Sequence, residues 1–170
     1  LYSRLREAIY TDIYDNFQSQ LIHVDFALSS VIRSVERDLA NLAASEAVRS
    51  KNDENFTSFI NADEASFQYN IGNLENSIIT IFNNYRVTHK HVNSVYMGRE
   101  NGSFVRSHKR SRPTKYDPRL RPWYVLAKRY PGEIKITDPY RSVTSPDINI
   151  GIVKALTDKK DQVYGVVGID

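Results

Sequence analysis

The chain has 170 residues, 41% of them apolar and 25% charged, with a net charge of +3 and a pI near 9.0. That length suits one domain, with or without an extension, and a core that needs no covalent staples. The lack of cysteine excludes a disulfide framework and a thiolate metal site, and so mild a positive charge does not by itself argue for nucleic acid.

From Leu5 onward apolar residues recur in steps of three and four, at Leu5, Ile9, Ile13, Phe17, Leu21, Val24, Leu28, Val31, Val35, Leu39 and Leu42. This period predicts one amphipathic helix. With no Pro or Gly before Gly72, nothing breaks it until the polar stretch 50–55. About 45 helical residues would extend about 68 Å at 1.5 Å per residue, whereas the remaining ~120 residues would form a globule only about 35 Å across. The helix is therefore expected to overshoot its own domain and to lie along a second module, pair with another copy or serve as a stalk. The chain opens on Leu1, already inside this helix, as an excised fragment would, and the segment 3–8 is expected to meet a partner helix or lead toward a membrane segment. No stretch approaches the ~20 apolar residues that span a bilayer.

A second helix is predicted over 63–85, with Phe67, Ile71, Leu74, Ile78, Ile81 and Tyr85 on one face and Asn61 or Asp63 as its N-cap. The period then changes. Residues 91–99 alternate as a strand, Asn101-Gly102 signals a hairpin, and 103–108 return. A loop rich in proline leads to a short helix opening on Pro122. Three further strands are expected at 133–137, 148–157 and 162–170, the last two joined by the polar turn 158–161. This order predicts an α+β fold: a long N-terminal helix and a single five-stranded antiparallel sheet with helices on one face.

Catalytic motifs are lacking: there is no phosphate-cradling glycine loop, no cysteine nucleophile and no serine in a nucleophile elbow. His89 and His91 share one face at a metal-compatible spacing but lack a third ligand nearby, so no metal and no cofactor are expected. The basic run from Arg106 to Arg121, with Asp117 as its sole acid, reads as a solvated hairpin end and loop rather than a nucleic-acid surface.

The informative stretch is Tyr116-Asp117-Pro118-Arg119-Leu120-Arg121-Pro122-Trp123-Tyr124. It sets a planar guanidinium fork, an indole N–H and two phenols within nine residues, a set suited to a small anionic group in an aromatic pocket. The last strand supplies the opposite charge. Alternation puts Val163, Gly165, Val167 and Ile169 on one face and Tyr164, Val166, Gly168 and Asp170 on the other, where Gly168 would leave space above the sheet for a ligand. Buried Asp170 requires a cationic partner, either Arg121 or a ligand ammonium.

Taken in order, the long helix, second helix, hairpin, Arg-Pro-Trp-Tyr segment and terminal Gly-Ile-Asp resemble the double Cache sensor domains of bacterial chemoreceptors, sensor histidine kinases and diguanylate cyclases. Tyr116, Arg121, Trp123, Tyr124, Tyr140 and Asp170 occupy positions similar to those of the amino-acid-binding subgroup; Ser142 stands where some of its members carry an acid.

The resemblance implies a PAS-like, non-enzymatic module for a free L-amino acid. Tyr116, Arg121 and Trp123 would hold the α-carboxylate; Asp170, with Tyr124 and Tyr140, would hold the α-ammonium. It further implies a stalk or dimerisation helix over 1–50, a membrane-distal module over 51–170, and a membrane-proximal module beyond this chain. The parent would be membrane-anchored, with this part periplasmic or extracellular and a homodimer formed through the N-terminal helix. A Cache module for an amine, purine or carboxylate is the first alternative and a nucleic-acid-binding module the remote one.

Overall fold

The computed structural model describes residues 2–143 and 146–170, apart from the side chain of Ser3. The expectations attached to Leu1 and to the Ser3 side chain lie outside the described residues. The chain divides into two compact units, Leu1–Val35 and Glu36–Asp170.

Helix α1 is Tyr2–Ala44. Within the first unit all of the stripe residues from Leu5 to Val31 are exposed, Phe17 and Leu21 by more than 60%. In the second unit the same period buries Leu39 and Ala43. The helix ends before the polar stretch at 50–55, because Ser45 takes an extended conformation (φ −62°, ψ 142°) ahead of the short helix α2, Glu46–Arg49, and its hydroxyl donates back to Leu42 O at 2.9 Å. No helix among the described residues is long and apolar enough to cross a membrane.

In the second unit, strands β1 (Val95–Arg99), β2 (Phe104–Arg106), β3 (Ile134–Ile136), β6 (Ile152–Thr157) and β7 (Val163–Ile169) form the expected five-stranded sheet, in the order β2-β1-β7-β6-β3 and antiparallel throughout. Strands β4 (Tyr140–Arg141) and β5 (Ile148–Asn149) make a separate two-stranded ribbon. Every residue of β1 is buried, so both faces of the sheet are covered. Arg99 points to one face and donates to Val48 O at 2.8 Å and Ser50 O at 2.9 Å, satisfying carbonyls at the end of α2. Helix α3, Asn73–Thr88, packs along β1 and β2 through fully buried Ile78 and Phe82 and is tied to α1 by the Tyr85 hydroxyl on Asp38 Oδ2 at 3.0 Å. The opposite face carries Tyr96, Phe104, Val153, Ala155 and Val166 and is capped by helix α4, Pro122–Arg129, through Trp123, Tyr124 and Ala127.

Three local departures from the sequence pattern have identifiable causes. The second helix starts at Asn73, not at 63. Asp63 caps only one turn, accepting Ala65 N and Ser66 N, after which Phe67 stacks on Phe59 at 4.9 Å and Tyr69 meets it edge-on at 5.9 Å. Aromatic packing here overrides helical spacing. The strand expected at 148–157 divides at Gly151, where an added Cβ would lie 2.9 Å from the Tyr96 hydroxyl. A bulge opposite Leu156 and Thr157 shifts the phase of β7, so Val163 joins the core below α4 while Tyr164 turns away to donate to Arg49 O at 3.0 Å. Alternation therefore holds from Gly165 onward, but Tyr164 leaves the face assigned to it.

Candidate functional site

Asp170 follows β7 and is fixed through its backbone: its N–H donates to Ser94 O at 2.9 Å, and its carbonyl accepts from Asn93 N at 2.7 Å. Its carboxylate faces the α4 side and is heavily hydrogen-bonded. The Tyr96 and Tyr140 hydroxyls each donate to Oδ1 at 2.6 Å, while Asn149 Nδ2 and Ser94 Oγ donate to Oδ2 at 3.0 and 3.5 Å. Tyr140 and Asn149 are cross-strand partners, so the β4–β5 ribbon delivers two of these donors together. Burial raises the Asp170 carboxyl above its ordinary value, opposed by the two phenols, the Arg106 charge and Asn149. Burial and the neighbouring carboxylate push the Tyr96 and Tyr140 hydroxyls well up, which keeps them protonated as donors.

The facing wall comes from the 116–124 stretch. Asp117 caps the 3₁₀ turn Pro118–Leu120 by accepting Arg119 N at 3.0 Å and clamps the Arg119 guanidinium through both carboxylate oxygens at 2.9 and 2.7 Å. That turn ends at Arg121, and Pro122 then starts α4 with its fixed φ. Arg121 Nη2 donates to Arg141 O at 3.0 Å, and its guanidinium lies 6.0 Å from the ring centroids of both Tyr116 and Tyr140. Trp123, 2% exposed, packs on the Tyr96 ring at 4.8 Å. Burial pushes the Tyr116 hydroxyl up to about 12, against the pull of Trp123, Arg121 and Arg110.

Between these walls lies a cavity of about 50 Å³, room for roughly four waters. Five of the residues singled out from sequence border it: Tyr116, Arg121, Trp123, Tyr140 and Asp170. Arg121 and Asp170 share this hollow without forming an ion pair with each other. Tyr124 does not border the cavity. One residue further along α4, it projects elsewhere, and its hydroxyl donates to Glu100 Oε1 at 2.7 Å beside Lys128.

The space expected above Gly168 is also filled, because the ring of its register partner Tyr96 lies over it. Tyr96, Arg106, Arg110 and Asn149 border the cavity and were not anticipated. For the first two a signal existed: both lie on the hairpin strands at the period that shares a face with Phe104. The basic run is likewise not a solvated loop, since Arg106, Arg110 and Arg121 turn inward and Arg119 is held by Asp117. His89 stacks on Tyr85 at 4.0 Å, and no three metal-ligating side chains converge among the described residues.

No protein-family model matches the chain. By sequence, 89 residues are 38% identical to the methyl-accepting chemotaxis protein McpB of Bacillus subtilis strain 168, covering 52% of this chain and 13% of that protein. By structure, the ligand-binding domain of Mlp24 with asparagine matches with a TM-score of 0.67 at 20% identity, over 97% of this chain and 60% of that one. The chain has the fold of a chemoreceptor ligand-binding domain. A second such domain, that of the Pseudomonas fluorescens chemoreceptor CtaA in complex with L-isoleucine, matches with a TM-score of 0.58 at 22% identity over 84% of this chain and 49% of that one.

The resemblance carried by the 116–124 stretch thus agrees with both the relatives and the fold. These proteins are a methyl-accepting chemotaxis protein and two ligand-binding domains, and the chain spans less than two thirds of each. The cavity lies between β1, β7 and the start of α4, with the β4–β5 ribbon closing one side.

Proposed function

We propose that the chain is the extracytoplasmic sensing module of a membrane-anchored chemoreceptor and that its cavity takes a free L-amino acid without transforming it. The observation that carries this reading is that Asp170 and Arg121 border one small aromatic cavity, neither with an ion-pair partner among the described residues. A buried carboxylate and a guanidinium are each costly to leave alone. A zwitterion satisfies both, whereas an amine satisfies only Asp170 and an organic acid only Arg121.

In the proposed complex Arg121, Tyr116 and Trp123 hold the α-carboxylate. Asp170 takes the α-ammonium, with the Tyr140 ring and hydroxyl beside it and Tyr96 as a further wall. Mlp24 and CtaA, which share the fold, were obtained with asparagine and L-isoleucine. Residues 1–50 serve as a stalk or dimerisation helix and 51–170 as the membrane-distal module, the receptor continuing into a membrane-proximal one. The exposed stripe from Leu5 to Val31 supports this use of the helix. Ligand binding shifts the population of helix arrangements by its differential affinity for them.

A thermal-shift screen of the free L-amino acids tests the proposal. Ligand at 100 times its Kd adds about 2.7 kcal/mol of stability, a readily measured rise in Tm. If no amino acid raises Tm while an amine, purine or plain carboxylate does, the reading is wrong.

A further inference from the structure

The cavity is unbalanced in charge: among the described residues Arg106, Arg110 and Arg121 border it, against one acid, Asp170. A ligand with a neutral side chain places its ammonium on Asp170 and its carboxylate on Arg121, and leaves the other two cations unanswered.

Arg106 is the register partner of Tyr96, so the two side chains rise on one face and Arg106 stands beside the phenol that holds Asp170. Among the described residues its guanidinium enters no hydrogen bond or ion pair, and it senses Asp170 only through space. Arg110 is 5% exposed and sits over the rings of Phe59 and Tyr116 at 4.9 and 4.8 Å. Its Nη1 donates to Thr114 O at 2.9 Å, while its buried Nη2 has no partner. On their far side both arginines also border a small pocket containing Glu75. That acid accepts from Thr57 N at 3.1 Å and forms no ion pair, and burial dominates its environment. The two guanidiniums repel each other across space.

We infer that the ligand carries a second carboxylate, held by Arg106 and Arg110, so that the site selects an amino acid with an acidic side chain over the corresponding amide. The inference rests on the amino-acid reading above. It follows from donor chemistry: guanidinium offers donors only, a carboxylate offers acceptors only, and a side-chain amide brings an NH₂ group that matches neither arginine. The amide also leaves buried Arg110 and half-buried Arg106 uncompensated.

Calorimetric titration of the 170-residue chain with L-aspartate, L-asparagine, L-glutamate and L-glutamine tests it. The expected result is that one acid binds about tenfold or more tightly than its own amide, a gap of about 1.4 kcal/mol. Arg106→Gln and Arg110→Gln should shrink that gap, weakening the acid by more than the amide. The wild-type comparison needs no variant and decides the matter even if a substitution impairs folding. If both amides bind as tightly as their acids, this inference is overturned and the amino-acid reading stands. Binding of none of the four overturns this inference, and only a thermal-shift screen in which no amino acid raises Tm overturns the amino-acid reading with it. A gap that survives both substitutions removes these arginines from the role.

Discussion

Tyr96 and Gly168 are cross-strand partners, and the tyrosine ring lies so close over the glycine that a Cβ there would fall 2.7 Å from Cε2. The missing side chain lets a phenol lie along the sheet with its hydroxyl on Asp170 at 2.6 Å. Gly168→Ala should lift the ring, destabilise the chain by about 1–3 kcal/mol through overpacking, and weaken amino-acid binding together with it. A melting curve and a titration of the same variant check this. An unchanged Tm would mean that the ring is not seated as described.

The Tyr124 hydroxyl serves Glu100, not the cavity. Tyr124→Phe should therefore lower stability by about 1–2 kcal/mol, while affinity for the amino acid stays within about twofold, a shift of ~0.4 kcal/mol. Tyr140→Phe should do the opposite in emphasis, because its hydroxyl donates to Asp170. Binding should fall by several-fold, the equivalent of about 1 kcal/mol. Parallel titrations of the two variants separate the roles; equal losses would return Tyr124 to the site.

Acidification should affect folding and binding in opposite directions. Burial holds the Asp170 carboxyl above its ordinary value. A carboxyl raised on folding contributes stability below its unfolded pKa and withdraws it as pH rises through the folded one. Lowering the pH through that window should thus relieve the unliganded chain of a cost. It should also weaken ammonium binding, because a neutral Asp170 cannot pair with it. His108, held down to about 4 by burial and by Arg106 and Arg86, titrates nearby and is present in both proteins when Asp170→Asn is compared with wild type. The difference between the two pH profiles of affinity should isolate Asp170. Affinity that rises on acidification would contradict its assigned role.

Much of the fold was legible because it rests on local signals. The Asn101-Gly102 turn has Gly102 at φ +83°, the conformation that pair favours, and Pro122 begins α4 as expected. The misplaced start of α3 was not legible, since the packing of Phe67 and Tyr69 on Phe59 joins segments that only the tertiary fold brings together. The same holds for the site. The 116–124 stretch announces its own chemistry within nine residues. Arg110, in contrast, follows the hairpin and looks like a member of a solvated basic run until the tertiary fold seats it over Phe59 and Tyr116. Tyr164 makes a related point, because one extra residue in a strand reverses a face that alternation alone assigns.

Arg121 and Asp170 are each assigned one charge of the ligand. Arg121→Ala and Asp170→Ala should each weaken amino-acid binding by about 2 kcal/mol or more, roughly 30-fold. Near-wild-type affinity in a variant shown to be folded would contradict the assignment of that residue.

The most direct measurement compares three ligands that differ only in charge: the best-binding L-amino acid, the amine lacking its α-carboxylate, and the acid lacking its α-ammonium. Titrated calorimetrically into the 170-residue chain, the intact amino acid should bind at least about 30-fold more tightly than either relative, a difference of about 2 kcal/mol. If the amine or the acid binds as well as the amino acid, Arg121 and Asp170 do not act together on one zwitterion.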